Sequence, residues 1–260
     1  MHMMRNILCL KYGSLYPPDY VNVLFNACLN ACDKPFRFVC LTEDGNGIDP
    51  RVEVRPIPDV GLKPEQWRIG GVWPKLGIFA SPLHDLRGRC LFIDLDMVIC
   101  GGLDAFFDEP GDLVGINCSD DWGTGRQTVP PRLGTGVIAF DAGGLAHIVS
   151  TFQKDRDKVI ARLRLEQMFV SEQVGSISYW PDDWVISFKR RLRQPLGADL
   201  FRAPERPPAT ARIVAFHGRP RPIDLVRGRP FFWDRFPHMG NGKVSWLRKY
   251  WFDNGGGPVQ

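Results

Sequence analysis

Long hydrophobic runs are missing from this 260-residue chain. No apolar stretch approaches the ~18 residues that a membrane-crossing helix needs, although 44% of the residues are hydrophobic, enough for a packed core and too many for wholesale disorder. Histidine is scarce, at five, and no second Cys/His pair at zinc spacing accompanies Cys28 and Cys32, which argues against a zinc role for them. There is no internal repeat and no linker. The arginines fall into no zinc-finger, RRM or helix-turn-helix pattern, so nucleic acid is not an expected partner. The start of the chain lacks the layout of a secretory signal, and the cytoplasm is the expected compartment.

What is present is turn-forming and charged. The 27 glycines and 22 prolines imply many turns between short elements and count against a helical bundle. The seven cysteines are an odd number, most of them among apolar neighbours, and reduced, buried thiols fit best. Residues 1–130 carry 12 basic and 17 acidic groups, whereas residues 131–260 carry 21 and 12. An acidic half facing a basic half suits a site that holds both a cation and a polyanion, and asymmetric but ordinary surface charge is the alternative.

Apolar runs recur at 6–10, 36–41, 90–93, 113–117, 136–140, 185–188 and 212–216, each bounded by turn or charged residues. Runs without polar alternation point to strands buried on both faces. Helical patterns lie between them at 17–32, 73–81, 145–162 and 166–174. This order predicts an α/β fold with a mostly parallel sheet flanked by helices. A main domain over 1–225 is expected, with a Pro/Arg-rich loop at 194–210 and an appendage over 226–260 that is rich in aromatic and basic residues.

The most informative segment is Arg89-Cys90-Leu91-Phe92-Ile93-Asp94-Leu95-Asp96. A buried strand ends at Asp94, and ligands bind at the carboxyl ends of strands in open α/β sheets. Two carboxylates leaving such a strand can converge on a divalent ion. Later in the chain a second buried run ends at His217 and passes into a cationic turn, Gly218-Arg219-Pro220-Arg221.

These segments resemble GT-A-fold nucleotide-sugar glycosyltransferases, particularly the glycogenin and bacterial lipooligosaccharide galactosyltransferase type. Asp94-Leu95-Asp96 is similar to their Asp-x-Asp, and Tyr12-Gly13 to their first nucleotide-binding turn. Trp73-Pro74-Lys75 resembles the Trp/Lys helix, and Gly134-Thr135-Gly136-Val137 stands where Asn-Ser-Gly-Val is usual. Glu172-Gln173 stands in place of Asp-Gln, and His217-Gly218 with Arg221 resembles the His-Gly-x-x-Lys-Pro element. The resemblance implies a GT-A-like fold and transfer of a sugar from a nucleoside diphosphate sugar to a hydroxyl acceptor, glycan or lipid-linked. It also implies Mn²⁺ or Mg²⁺ on Asp94, Asp96 and His217. Donor contacts are then expected at Tyr12, Gly13, Lys75, Asp94, Gly218 and Arg221, with Glu172, Gln173 and Asp183 as catalytic candidates. The aromatic, basic stretch at 246–252 adds peripheral contact with an anionic membrane surface as an expectation.

Two other function classes stay open on the sequence. Asp94-Leu95-Asp96-Met97-Val98 also matches the Asp-x-Asp-x-Thr/Val of haloacid-dehalogenase-like phosphatases, with Asp94 as nucleophile and Asp182, Asp183 and Lys158 completing that site. A non-catalytic nucleotide-binding module of the same shape is the third.

Overall fold

The structure, a computed structural model, describes residues 4–119, 131–195, 197–198, 201–227 and 244–258. Strands β1 (Arg5–Lys11), β2 (Arg37–Thr42), β3 (Glu53–Arg55), β4 (Arg89–Ile93), β6 (Leu113–Asn117), β7 (Leu133–Asp141) and β8 (Ile177–Tyr179) form one sheet, in the order β3-β2-β1-β4-β7-β6-β8. All its pairings are parallel except those of β7 with β4 and β6. A smaller sheet pairs β5 (Met97–Ile99) antiparallel to β10 (Ile213–Ala215), and β10 parallel to β9 (Val185–Ser187).

The unalternating runs are explained by two cores, one on each face of the large sheet. Ile7, Cys9, Leu91 and Ile93 face one core together with α1 (Pro18–Ala31), the small sheet, α4 (Pro222–Arg227) and α5 (Ser245–Asp253). Leu8, Leu10, Cys90 and Phe92 face the other, under α2 (His147–Arg162) and α3 (Glu166–Gln173). Burying one such side chain contributes roughly 1.5–3 kcal/mol, so a polar residue inside these strands would be costly on either face. The fold class read from the sequence, an α/β sandwich around a mostly parallel sheet, is borne out.

The expected helix at 73–81 is instead a 3₁₀ turn, Trp73–Phe79. Its start is set by Val72 in the left-handed region at φ +58°, and Gly77 lies so close to Pro58 that a Cβ there would meet the Pro58 carbonyl at 3.1 Å. The turn ends where Ala80 goes extended, at ψ 152°. The run at 185–188 also stops one residue early, where a π-helical turn, Phe188–Leu192, begins with Ser187 as its cap. All seven cysteines are free, and Cys9, Cys28, Cys40 and Cys90 are buried.

Of the appendage expected over 226–260, residues 228–243 and 259–260 lie outside the described residues. The helix that follows, α5, packs into the first core: Leu247 and Trp251 are buried, and the Trp251 ring meets Tyr20 edge-on at 5.2 Å. No helix among the described residues is long and apolar enough to cross a membrane.

Candidate active site

β1 and β4 run parallel side by side, so Tyr12-Gly13 and Asp94-Leu95-Asp96 leave the sheet at the same edge. Gly13 takes φ +63° and donates its N–H to Glu43 Oε1 at 2.6 Å. Beyond β4 the chain turns tightly. Asp94 N–H donates to the Gly136 carbonyl at 2.8 Å, and Met97 N–H donates back to the Asp94 carbonyl at 3.2 Å. Leu95 is driven into the core by this turn, leaving the two flanking carboxylates at the edge. A Cβ on Gly136 would stand 2.5 Å from Met97 Cε and 3.4 Å from Asp94 Oδ2, so a side chain there would crowd the Met97 methyl group and reach the Asp94 carboxylate.

At the centre of this edge is Lys75, whose side chain is 5% exposed. Its Nζ lies 2.7 Å from Asp94 Oδ2, 3.5 Å from Glu166 Oε1 and 3.4 Å from the Thr135 carbonyl. The Thr135 hydroxyl donates to Glu166 Oε1 at 2.5 Å, and the Tyr16 hydroxyl donates to Asp96 Oδ2 at 3.1 Å. Burial opposes the charge of Lys75, but Asp94 and Glu166 outweigh it and hold the pKa raised at about 12. Burial pushes up the pKa of both aspartates; at Asp96 the charge of Asp94 adds to the rise, and at Asp94 the ammonium works against it. Fully ionised, the cluster sets one ammonium against three carboxylates.

The small sheet brings the second strand end alongside. β5 and β10 pair up to Met97 opposite Ala215, so Asp96 and the 216–221 turn leave at the same end. There His217 Nε2 lies 2.8 Å from Ser187 Oγ. Loss of solvent around its ring, then the cations Lys189, Arg190 and Arg193, lower its pKa to about 4, which keeps the imidazole neutral at neutral pH. Among the described residues no three His, Cys, Asp or Glu side chains are grouped as a metal centre, so Asp94, Asp96 and His217 share an edge without closing on one point. Arg221 is half-buried in an ion pair with the buried Asp224. Its Nε and Nη2 lie 3.3 Å from the two carboxylate oxygens, its backbone N–H donates to Oδ2 at 2.9 Å, and Nη1 reaches the Leu15 carbonyl at 3.4 Å.

The remaining sequence candidates are elsewhere. Glu172 sits on the outer side of α3 in a two-pronged pair with Arg162, at 2.6 and 2.7 Å. Gln173 closes that helix, its carbonyl accepting from His147 Nε2 at 3.0 Å. Asp183 is exposed, 3.5 Å from Arg191, and lines an open cleft of ≈690 Å³ at the amino ends of β9 and β10, opposite His217. Lys158, needed by the phosphatase reading, is 88% exposed and pairs with Asp155. Glu166 and Tyr16 were not singled out from the sequence, and Thr135 entered only as part of the 134–137 segment. A signal for Glu166 existed: the dipeptide Glu-Gln occurs three times, at 65–66, 166–167 and 172–173, and only the copy at 166–167 opens an α-helix beside the buried Lys75.

No protein-family model and no curated protein matches the chain. Solved structures do. The galactosyltransferase LgtC, solved in complex with donor and acceptor sugar analogs, superposes with a TM-score of 0.62 at 13% identity over 97% of both chains. The WbbM bifunctional glycosyltransferase gives 0.57 at 12% identity, covering 97% of this chain and 52% of that one. The glycosyltransferase GlyE of Streptococcus pneumoniae TIGR4 gives 0.56 at 12% identity, over 96% of this chain and 60% of that one. At these identities the likeness is one of architecture: the chain has the GT-A-like fold of solved glycosyltransferases.

Proposed function

We propose that this protein is a glycosyltransferase that moves a sugar from a nucleoside diphosphate sugar to a hydroxyl acceptor, a glycan or a lipid-linked one, with Mn²⁺ or Mg²⁺ at Asp94 and Asp96. The observation that carries the reading is the cluster at the carboxyl edge of β1 and β4 in which the half-buried Asp94 and Asp96 gather beside the buried Lys75 and Glu166. This edge is where the fold binds ligands. The donor set fits a hard divalent ion: the carboxylates are oxygen ligands, outnumber the one ammonium, and are penalised by burial in the absence of further positive charge. Magnesium-type sites commonly use one or two carboxylates and leave other positions to substrate phosphates and water. Such an ion neutralises charge that builds on the departing diphosphate.

The chain's own residues do the rest. Lys75 fixes the Asp94 carboxylate and is itself held by Glu166, so the pair cannot swing away from the edge. Tyr16 donates to Asp96 and leaves its other oxygen available to face a ligand. Gly13 and Gly136 keep side chains out of the two turns where a nucleotide must come close to the backbone. His217, neutral and with a lone pair, stands at the adjoining strand end and is the third ligand that the sequence resemblance points to. Through α5, Arg248, Lys249 and Phe252 face outward, a composition that suits peripheral contact with an anionic membrane surface.

The test is turnover by the full chain of a panel of nucleotide sugars with Mn²⁺, Mg²⁺ or EDTA, with and without glycan acceptors. Release of nucleoside diphosphate that requires both the nucleotide sugar and a divalent ion supports the reading. Metal-dependent phosphate release from a generic monoester, with no nucleotide sugar consumed, overturns it in favour of a phosphatase. Nucleotide binding without any turnover marks a non-catalytic module.

A further inference from the structure

Three chain ends meet at one end of the small sheet. β10 pairs with β5 up to Met97 opposite Ala215, and with β9 up to Ser187 opposite Ala215. Asp96, the 188–190 turn and the 216–221 turn therefore emerge side by side. Phe188 and Phe216 stack there with ring centroids 4.5 Å apart at 18°. Ser187 Oγ is engaged by His217 Nε2 and accepts from Arg190 N–H, so the two turns are tied together by packing and by hydrogen bonds. A Cβ built on Gly218 would stand 3.7 Å from Lys189 Nζ, which sets the ammonium against the backbone of the 216–221 turn.

The turn itself carries two cations, Arg219 and Arg221, and the second has a carboxylate partner inside the fold. Arg221 spends its Nε, Nη2 and backbone N–H on the buried Asp224, so its charge is matched by a carboxylate inside the fold. Lys189, on the neighbouring turn, brings a positive charge to Gly218 from outside the loop. Lysine binds phosphate as a compact point charge with three donors, and a glycine backbone lets a phosphate approach closely.

We propose that Lys189 seats the donor's diphosphate against the Gly218 backbone, while Arg221 acts through Asp224 to hold the shape of the turn. The assignment rests on the glycosyltransferase reading above for the identity of the anion. It makes Lys189 a binding residue and Arg221 a positioning residue.

Calorimetric titration of the full chain with inorganic pyrophosphate, and with nucleoside diphosphates, in Mn²⁺ decides it. Lys189→Gln should weaken pyrophosphate binding by about 10- to 100-fold, the worth of a charge-assisted hydrogen bond. Lys189→Arg should stay within a few-fold of the wild type, which separates loss of the cation from damage to the turn. Arg221→Gln should weaken binding less than Lys189→Gln. Unchanged affinity in Lys189→Gln, a larger loss in Arg221→Gln, or no pyrophosphate binding by the wild type overturns the proposal. Pyrophosphate binding that depends on Lys189, in a protein that turns over no nucleotide sugar, leaves the anion seat standing and removes the glycosyltransferase reading. Turnover of a nucleotide sugar with wild-type pyrophosphate affinity in Lys189→Gln does the reverse.

Discussion

The ends of β4 and β10 lie side by side and are built with opposite charge. At the end of β4, carboxylates crowd around one buried ammonium, and burial pushes the aspartate pKa values up. At the end of β10, Lys189, Arg190 and Arg193 crowd around an imidazole whose pKa is driven down, and one buried carboxylate, Asp224, grips Arg221. Among the described residues, each end holds a group of the opposite sign that fixes geometry, Lys75 on Asp94 at one and Asp224 on Arg221 at the other. An acidic edge beside a basic one is the arrangement a metal-bound diphosphate needs, since such a ligand presents both signs at once.

The largest expected effect comes from breaking the acidic side. Asp96→Asn should lower kcat/KM for nucleotide-sugar turnover by ~10²–10⁴ while leaving the fold intact; wild-type turnover by this variant would remove Asp96 from the site. Lys75→Met strips the clamp and leaves Asp94 and Glu166 facing each other in a buried place. Its expected cost is about 3–5 kcal/mol in urea unfolding, and a loss below about 1 kcal/mol would mean that the ammonium is dispensable to the edge. On the basic side, Asp224→Asn should cost about 1–3 kcal/mol by the same measurement, because it removes a buried acceptor from the Arg221 backbone and guanidinium.

Smaller effects sharpen the contrast. In the metal-free protein, an NMR titration should find His217 protonating near pH 4, well below an ordinary imidazole. Lys189→Gln removes one of the charges opposing the imidazolium, so the midpoint must move upward; a downward move would contradict the cationic setting of the turn. Glu172→Gln should leave kcat/KM unchanged, since the side chain is spent on a surface pair with Arg162. A large loss in that variant would return Glu172 to the active site and require α3 to rearrange.

Legibility differed by element. The 90–93 and 113–117 runs were readable as strands because both faces are covered, so no polar alternation dilutes them. β3 and β8, three residues each, carried too little pattern to register, and both are edge strands with no fully buried residue. Asp94 and Asp96 were readable because an apolar strand leads straight into them. Tyr16 was not, because its bond to Asp96 joins residues 80 apart in the chain. Glu166 and Glu172 stand in the same local pattern, an acid before glutamine in one short helix. Their different fates follow from which side of α3 faces Lys75.

By itself, then, the amino-acid order determined the two-core α/β plan and the strand end that carries Asp94 and Asp96. Both follow from local chemistry: apolar runs must be covered on each face, and carboxylates must stop where the covering stops. The tertiary structure alone decided which acid joins Lys75 and that Lys189 comes to rest on Gly218. Glu166 reaches Lys75 because α3 packs beside the 73–79 turn, and Lys189 reaches Gly218 because β9 pairs with β10 in the register that sets Ser187 opposite Ala215. A shift of one residue in that register would turn Ser187 to the other face of the small sheet and part it from His217.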